Sequence, residues 1–197
     1  MFPSEEIKLN LPDADISYYP NFFSKIESQA FYNSILNESN WQQDTITLFG
    51  KTHAQPRLTA LFANNNKPYS YSNITMHPKE FSDVLLKIKL RIETKTNAKF
   101  TTCLANLYRD GSDSNGWHAD NEKELGENPI IASVTFGATR YFNLKHQKDN
   151  NLKQKLLLEN GSLLLMQGTT QHYWQHQIAK TKKEIKPRIN LTFRIII

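Results

Sequence analysis

PRINLTFRIII, residues 187–197, alternates between two chemistries. Arg188, Asn190, Thr192 and Arg194 fall on one side of an extended chain, and Ile189, Leu191, Phe193 and Ile195 on the other. A period of two reads as a β-strand with one polar and one apolar face. In a half-exposed sheet the polar face simply meets water. Two arginines with an amide and a hydroxyl between them also suit a dicarboxylate, because guanidinium meets carboxylate through a planar fork that an ammonium cannot reproduce. TTCLANLYRD (101–110) adds Asn106 and Tyr108, again two residues apart and so on one face.

Upstream of this strand the pattern repeats. IIASVTFG (130–137), TRYFNLKHQ (139–147) and KQKLLLENGSLLLMQG (153–168) are rich in β-branched, leucine and aromatic residues. They are punctuated at Asp110-Gly111, Gly137, Asn150-Asn151, Asn160-Gly161 and Gly168. Many short strands with such turns predict a sandwich, jelly roll or barrel from Phe100 onward. Two segments before it carry helical periodicity. SKIESQAFYNSILNES (24–39) brings Ile26, Ala30, Phe31 and Ile35 together, with Ser24 as a cap and Glu27 three residues on. HPKEFSDVLLKIKLRIETKTN (77–97) aligns Phe81, Val84, Leu85, Ile88 and Ile92. The fold class predicted is α+β, with helices bracing a β core. Between the helices, GKTHAQPRLTALFANNNKPYSYSNITMHP (50–78) reads as loops and a hairpin, not as a packed layer.

The bulk numbers bound the function. A chain of 197 residues fits one domain with a proper core. No apolar run approaches the roughly 20 residues that cross a bilayer. The acidic N-terminal stretch lacks a secretion pattern, and a single cysteine, Cys103, fits a reducing compartment. A cytoplasmic location is expected, nucleoid-associated in a bacterium or nuclear in a eukaryote. The net charge of +5 leans toward polyanionic partners. The charge is concentrated in KTKKEIKPR (180–188) and in Lys145, Lys148, Lys153 and Lys155, which also read as ordinary solvated loops.

NGWHADNEKELG (115–126) holds His118 and Asp120 two apart, so an imidazole and a carboxylate can reach one point. By itself His-x-Asp also fits a surface turn; as a metal ligand, Asp120 is expected to be surface-exposed and to add little to the core. A metal site needs a third ligand. His176 in TQHYWQHQIAK (170–180) is the first candidate and His172, four residues earlier on the same strand face, the second. His53, His77 and His146 lie in polar contexts and read as surface residues. Two histidines and one carboxylate with open positions form the facial triad of non-haem Fe(II) oxygenases.

Taken together, NLYRDGSDSNGWHADNEKELG (106–126), PIIASVTFGATRYFNL (129–144), LENGSLLLMQGTTQHYWQH (158–176) and PRINLTFR (187–194) closely resemble the AlkB-like nucleic-acid demethylases, which are Fe(II)- and 2-oxoglutarate-dependent dioxygenases. QPRLTALF (55–62) and YSYSNITMHP (69–78) resemble that family's upstream recognition region, so the likeness runs from about Gln55 to Arg194. It is strongest to the branch related to animal paralogues acting on simple methyl-base lesions. The resemblance implies a double-stranded β-helix (jelly roll) over about 100–197, with helical support and a substrate-recognition lid over about 1–99. It implies His118, Asp120 and His176 as catalytic iron ligands, leaving His172 to wall the pocket or support a ligand. Arg188 would hold the distal carboxylate of 2-oxoglutarate with Tyr108 and Asn190, Arg194 and Asn106 would sit toward its metal-bound end, and Thr192 would support the same polar face.

The same resemblance implies oxidative demethylation of bases such as 1-methyladenine and 3-methylcytosine, consuming 2-oxoglutarate and O2 and releasing formaldehyde, succinate and CO2. Tyr69, Tyr71, Trp117, Asn121, Glu122 and Arg57 are the expected substrate contacts. DNA is the expected partner with RNA as a second substrate, no membrane, and a monomeric state. An oxygenase acting mainly on RNA or protein, and a non-catalytic nucleic-acid-binding β-module, are the rival readings. One position departs from the family pattern. Relatives carry an acid directly after the second ligand, where this chain has Asn121 followed by Glu122. Asparagine cannot offset a cationic methylated base by charge, so the resemblance leaves base preference open.

Overall fold

The computed structural model describes residues 5–48, 51–65, 69–71 and 74–196. Strands β1 (Ile7–Lys8) and β2 (Asp15–Tyr19) precede helix α1 (Lys25–Glu38). Next come β3 (Thr45–Leu48), β4 (Lys51–Ala54), β5 (Leu58–Ala63), β6 (Tyr69–Tyr71), β7 (Ile74–Met76) and helix α2 (Asp83–Thr96). The second half runs β8 (Thr102–Tyr108), β9 (Asn115–His118), β10 (Ile131–Gly137), β11 (Arg140–His146), β12 (Lys153–Leu158) and β13 (Ser162–Gln167). A short α3 (Thr170–Tyr173), β14 (Trp174–Ile178) and β15 (Arg188–Arg194) complete it.

Two antiparallel sheets form the body. The large one has the order β1-β2-β13-β10-β15-β8-β5 and the small one β12-β11-β14-β9. The β3–β4 and β6–β7 hairpins stand apart as two-stranded units. This is the jelly roll that the second half of the sequence predicts, flanked by helices.

The large sheet is buried on both faces. On one, Ala105, Leu107, Val134, Leu163, Leu165, Leu191 and Phe193 form a core with Leu85, Ile88 and Ile92 of α2 and Ile35 of α1. On the other, Ile131, Leu164 and Met166 meet Phe142, Leu144, Leu158 and Trp174 of the small sheet. All seven residues of β15 are therefore buried, polar ones included. The wet-face reading of PRINLTFRIII is excluded.

Local chemistry fixes the helices. Ser24 and Glu27 make the expected capping box on α1. Ser82 caps α2, which ends where Asn97 turns left-handed and its N–H returns to Glu93 O. At the β12–β13 turn Gly161 holds a positive φ, and a Cβ there would meet the Phe23 carbonyl at 2.6 Å. Its own N–H and carbonyl bond Thr135 O and Phe23 N, tying the start of α1 to the sheet.

Several expectations are corrected. LTALFA is not loop: as β5 it is almost wholly buried and pairs with β8 from Leu58↔Leu107 to Ala63↔Thr102. β1, β2 and β5 come from before residue 100, so the large sheet draws on both halves of the chain. Ile26 is 85% exposed and Ala30 also faces water, leaving Phe31 and Ile35 as the core side of α1. His146 is buried, accepting from the N–H groups of Lys148 and Asp149 and lying 3.3 Å from Asp13.

Candidate active site

A cavity of about 310 Å³ opens between the two sheets. The small sheet and the loop after β9 supply His118, Asp120 and His176, and the large sheet supplies Asn106, Tyr108, Arg188, Asn190, Thr192 and Arg194. Among the described residues, His118, Asp120 and His176 form the one group whose ligand atoms all lie within 4.8 Å of each other. Strand register explains the histidine pair. His118 of β9 sits directly opposite His176 of β14, and their ring centres are 4.2 Å apart. Asp120 follows just past the strand end. His172 is elsewhere: the chain turns through α3 before β14, and its Nε2 lies 3.1 Å from Asn128 Oδ1, off the cavity wall.

Each ligand is held in a usable state. His118 Nδ1 lies 2.8 Å from Gly116 O, which can only accept, so Nδ1 carries the hydrogen and Nε2 keeps its lone pair. Asn115 Nδ2 is 3.2 Å from that Nε2. Burial, reinforced by His118 beside it, holds the His176 imidazole far below its ordinary pKa and therefore neutral, and Phe142 stacks on it at 4.9 Å. Burial alone would raise the Asp120 carboxyl, but the Arg194 guanidinium paired with it outweighs burial and keeps the group ionised. Arg194 Nη2 donates to Asp120 Oδ1 at 2.8 Å, and the Asp120 N–H donates to Gln171 Oε1 at 2.9 Å. Asp120 is only 3% exposed, so it is a buried, paired carboxylate and not the exposed residue that its polar context predicts.

The fit of a dicarboxylate rests on Arg188. Its side chain is 1% exposed, and burial pulls the guanidinium down to about 10. Nη2 donates to Thr135 Oγ1 at 2.9 Å, while Nε and Nη1 are buried with no hydrogen-bond partner among the described residues. An uncompensated buried cation is costly, so this one is poised for a carboxylate. Tyr108 lies beneath it at 5.2 Å, and Asn190 donates to Ser133 Oγ and accepts from Thr192 Oγ1. The His118–Asp120–His176 group and a buried guanidinium with N–H groups to spare in one cavity fit an Fe(II) ion with a 2-oxoacid.

The expected substrate contacts divide. Arg57, Asn121 and Glu122 line the cavity; Arg57 Nε donates to Asn106 Oδ1 at 2.8 Å, and Glu122 Oε2 is buried with no hydrogen-bond partner among the described residues. Trp117 does not line it. It lies on the outer face of the small sheet, with Lys145 Nζ 4.6 Å from its ring centre. The side chains of Tyr69 and Tyr71 lie outside the described residues. Sequence reading missed Asn115, and it missed Gln171, Ser133 and Thr135, polar residues whose partners lie more than fifty positions away.

Comparison with known proteins agrees with this geometry. The family model for the 2OG-Fe(II) oxygenase superfamily matches residues 15–194, beginning well upstream of Gln55. The chain is 41% identical over 186 residues to the alpha-ketoglutarate-dependent dioxygenase alkB homolog 3 of Bos taurus, covering 90% of this chain and 64% of that protein. With the human homolog 3 it shares 40% identity, covering 92% and 66%. It thus spans just under two thirds of the length of these relatives. It is 35% identical to the human DNA oxidative demethylase ALKBH2, covering 91% of this chain and 72% of that one. A solved structure titled "The structure of OsALKBH1" superposes with a TM-score of 0.68 at 17% identity, over 97% of this chain and all of the other, a likeness of fold. Site, fold and sequence converge, and the chain belongs to the 2OG-Fe(II) oxygenase superfamily, within its AlkB-like family, whose chemistry uses Fe(II), 2-oxoglutarate and O2.

Proposed function

We propose that this protein is a dioxygenase that oxidatively demethylates N-alkylated bases in DNA, 1-methyladenine and 3-methylcytosine among them. The observation that carries this reading is the pairing of the His118–Asp120–His176 group with the unsatisfied Arg188 guanidinium inside one cavity. The printed name of the ALKBH2 relatives, DNA oxidative demethylase, supports DNA as the substrate.

His118, Asp120 and His176 hold the iron, which when bound supplies O2 activation for hydroxylating a C–H bond. Arg188 binds the far carboxylate of 2-oxoglutarate, with Tyr108 and Asn190 flanking it and Asn106, Thr192 and Arg194 completing the polar wall. Arg194 and Gln171 keep Asp120 aimed inward. The methylated base leaves its stack to reach the cavity, which costs least in damaged or unpaired strands. Glu122 supplies the carboxylate that Asn121 lacks. Hydroxylated N-methyl then collapses to formaldehyde and the restored base, alongside succinate and CO2. Residues before 100 contribute α1, α2 and strands β1, β2 and β5 of the large sheet, together with a substrate-recognition lid over the cavity.

The test is mass spectrometry of oligonucleotides bearing 1-methyladenine or 3-methylcytosine after incubation with the protein, Fe(II), 2-oxoglutarate and O2. Each repaired lesion loses one CH2 unit. An iron-loaded, folded protein that removes none from DNA sinks the reading, and parallel RNA strands with succinate release as readout identify an RNA enzyme instead.

A further inference from the structure

The outer face of the small sheet is turned away from the cavity and is chemically unlike a plain solvated surface. Inward positions of β11 and β14 are buried, while Tyr141, Asn143 and Lys145 on β11 point outward. Register sets Lys153 beside Lys145, Lys155 beside Asn143 and Leu157 beside Tyr141. No outward position on the four strands is Asp or Glu. Two large rings lie on this face, Tyr141 at 49% and Trp117 at 39% exposed. Each carries a lysine: Lys155 Nζ is 4.0 Å from the Tyr141 ring centre and Lys145 Nζ 4.6 Å from that of Trp117. A groove of about 1070 Å³ continues from Tyr141 and Lys155 to Lys180, Lys183 and Lys186 of the β14–β15 loop, with Glu184 its one acidic lining residue. The two basic clusters, far apart in sequence, thus meet along one path.

We propose that this face is a second nucleic-acid site, a track for single-stranded DNA separate from the base-binding cavity. Exposed aromatics on a flat sheet offer stacking platforms to unpaired bases, and flanking lysines meet the phosphates. An arriving base displaces a flexible lysine from its ring, and the freed ammonium is then within reach of the backbone. A duplex hides its base faces, so it gains only the electrostatic part. The inference shares with the demethylase reading only its nucleic-acid partner and needs neither iron nor a lesion.

The experiment is fluorescence anisotropy of labelled, unmodified oligothymidylate with the metal-free full chain, over a series of salt concentrations. The triple variant Lys145→Ser, Lys153→Ser, Lys155→Ser is expected to weaken binding on the order of tenfold and flatten the salt dependence. Tyr141→Ser is expected to weaken it severalfold at unchanged salt slope. Binding should quench tryptophan fluorescence in the unaltered protein, and Trp117→Phe should remove that quench. A control with the same charge loss elsewhere, Lys25→Ser, Lys87→Ser, Lys99→Ser, should bind nearly as the parent does. Equal weakening in the control, equal affinity for blunt duplex, or no Trp117 quench overturns the proposal. Failure here leaves the mass-loss assay on methylated strands untouched, and failure of that assay leaves this measurement untouched.

Discussion

Asp120 is the residue on which the site's chemistry and its stability meet. Its carboxylate belongs to the group placed to hold a metal, and it also neutralises Arg194, which is itself 5% exposed. Removing one partner of a buried ion pair leaves a charge in a poor dielectric. Asp120→Ala is therefore expected to abolish turnover and also to destabilise the fold by about 3 kcal/mol, measured by denaturant melts beside the demethylation assay. Full activity in that variant rules out the triad assignment. Arg188 behaves in the opposite way, because its guanidinium pairs with no carboxylate among the described residues. Replacing a buried, uncompensated cation with an apolar side chain of similar length relieves a cost. Arg188→Met should melt at or above the parent's temperature in the absence of 2-oxoglutarate. Its KM for 2-oxoglutarate should rise by roughly tenfold to a hundredfold, the worth of a charge-assisted hydrogen bond. A lower melting point with an unchanged KM would make Arg188 a structural residue.

At the scale of elements, what the sequence reveals depends on how many faces of a strand are alike. β15 was legible because its two buried faces differ, one polar around the cavity and one apolar against the helices. β5 was not: Leu58 to Ala63 is apolar or small on both sides and bounded by Pro56 and an asparagine run, so no alternation marks it. β2 is short and includes Tyr18 and Tyr19, which pack on opposite sides of the sheet. The triad was legible because His-x-Asp is local and His176 ranked ahead of His172 in the sequence; strand register then sets His176 opposite His118. Gln171 was invisible, since its partner lies 51 residues away. Helix caps act locally, which is why Ser24 and Glu27 could be read directly. Ser24→Ala removes the capping side chain from α1, remote from the cavity. It should cost about 1 kcal/mol of stability, seen as a lower urea midpoint at unchanged m-value, with demethylation per folded molecule unaltered. A matching loss of turnover would mean that α1 reaches the site.

For the whole molecule, the division of labour between the sheets makes a thermodynamic demand. The histidines His118 and His176 sit on the small sheet, and Arg188 with Asn190 sits on the large one. A metal alone would bind at the small-sheet side, where Asp120 already reaches across to Arg194 of β15. A 2-oxoacid alone would meet the guanidinium on the large sheet. The pair together, the acid held at Arg188 and the metal at the triad, would add a second tie between the sheets across the cavity. Ligands that bind only the folded state stabilise by mass action, about 2.7 kcal/mol at a hundredfold excess over Kd. If the two sites were independent, their increments would add. Because each ligand preorganises the wall that the other completes, the rise in Tm with Mn(II) and 2-oxoglutarate together under anaerobic conditions should exceed the sum of the separate rises. The same coupling must appear as tighter 2-oxoglutarate binding in the presence of Mn(II), by a factor matching the tightening of Mn(II) by 2-oxoglutarate. Calorimetric titrations in both orders measure the two factors. Strictly additive Tm shifts with uncoupled affinities would mean that the sheets are already rigidly joined without ligand. In Arg188→Met the coupling should vanish while Mn(II) binding alone persists, since the triad it leaves behind is intact.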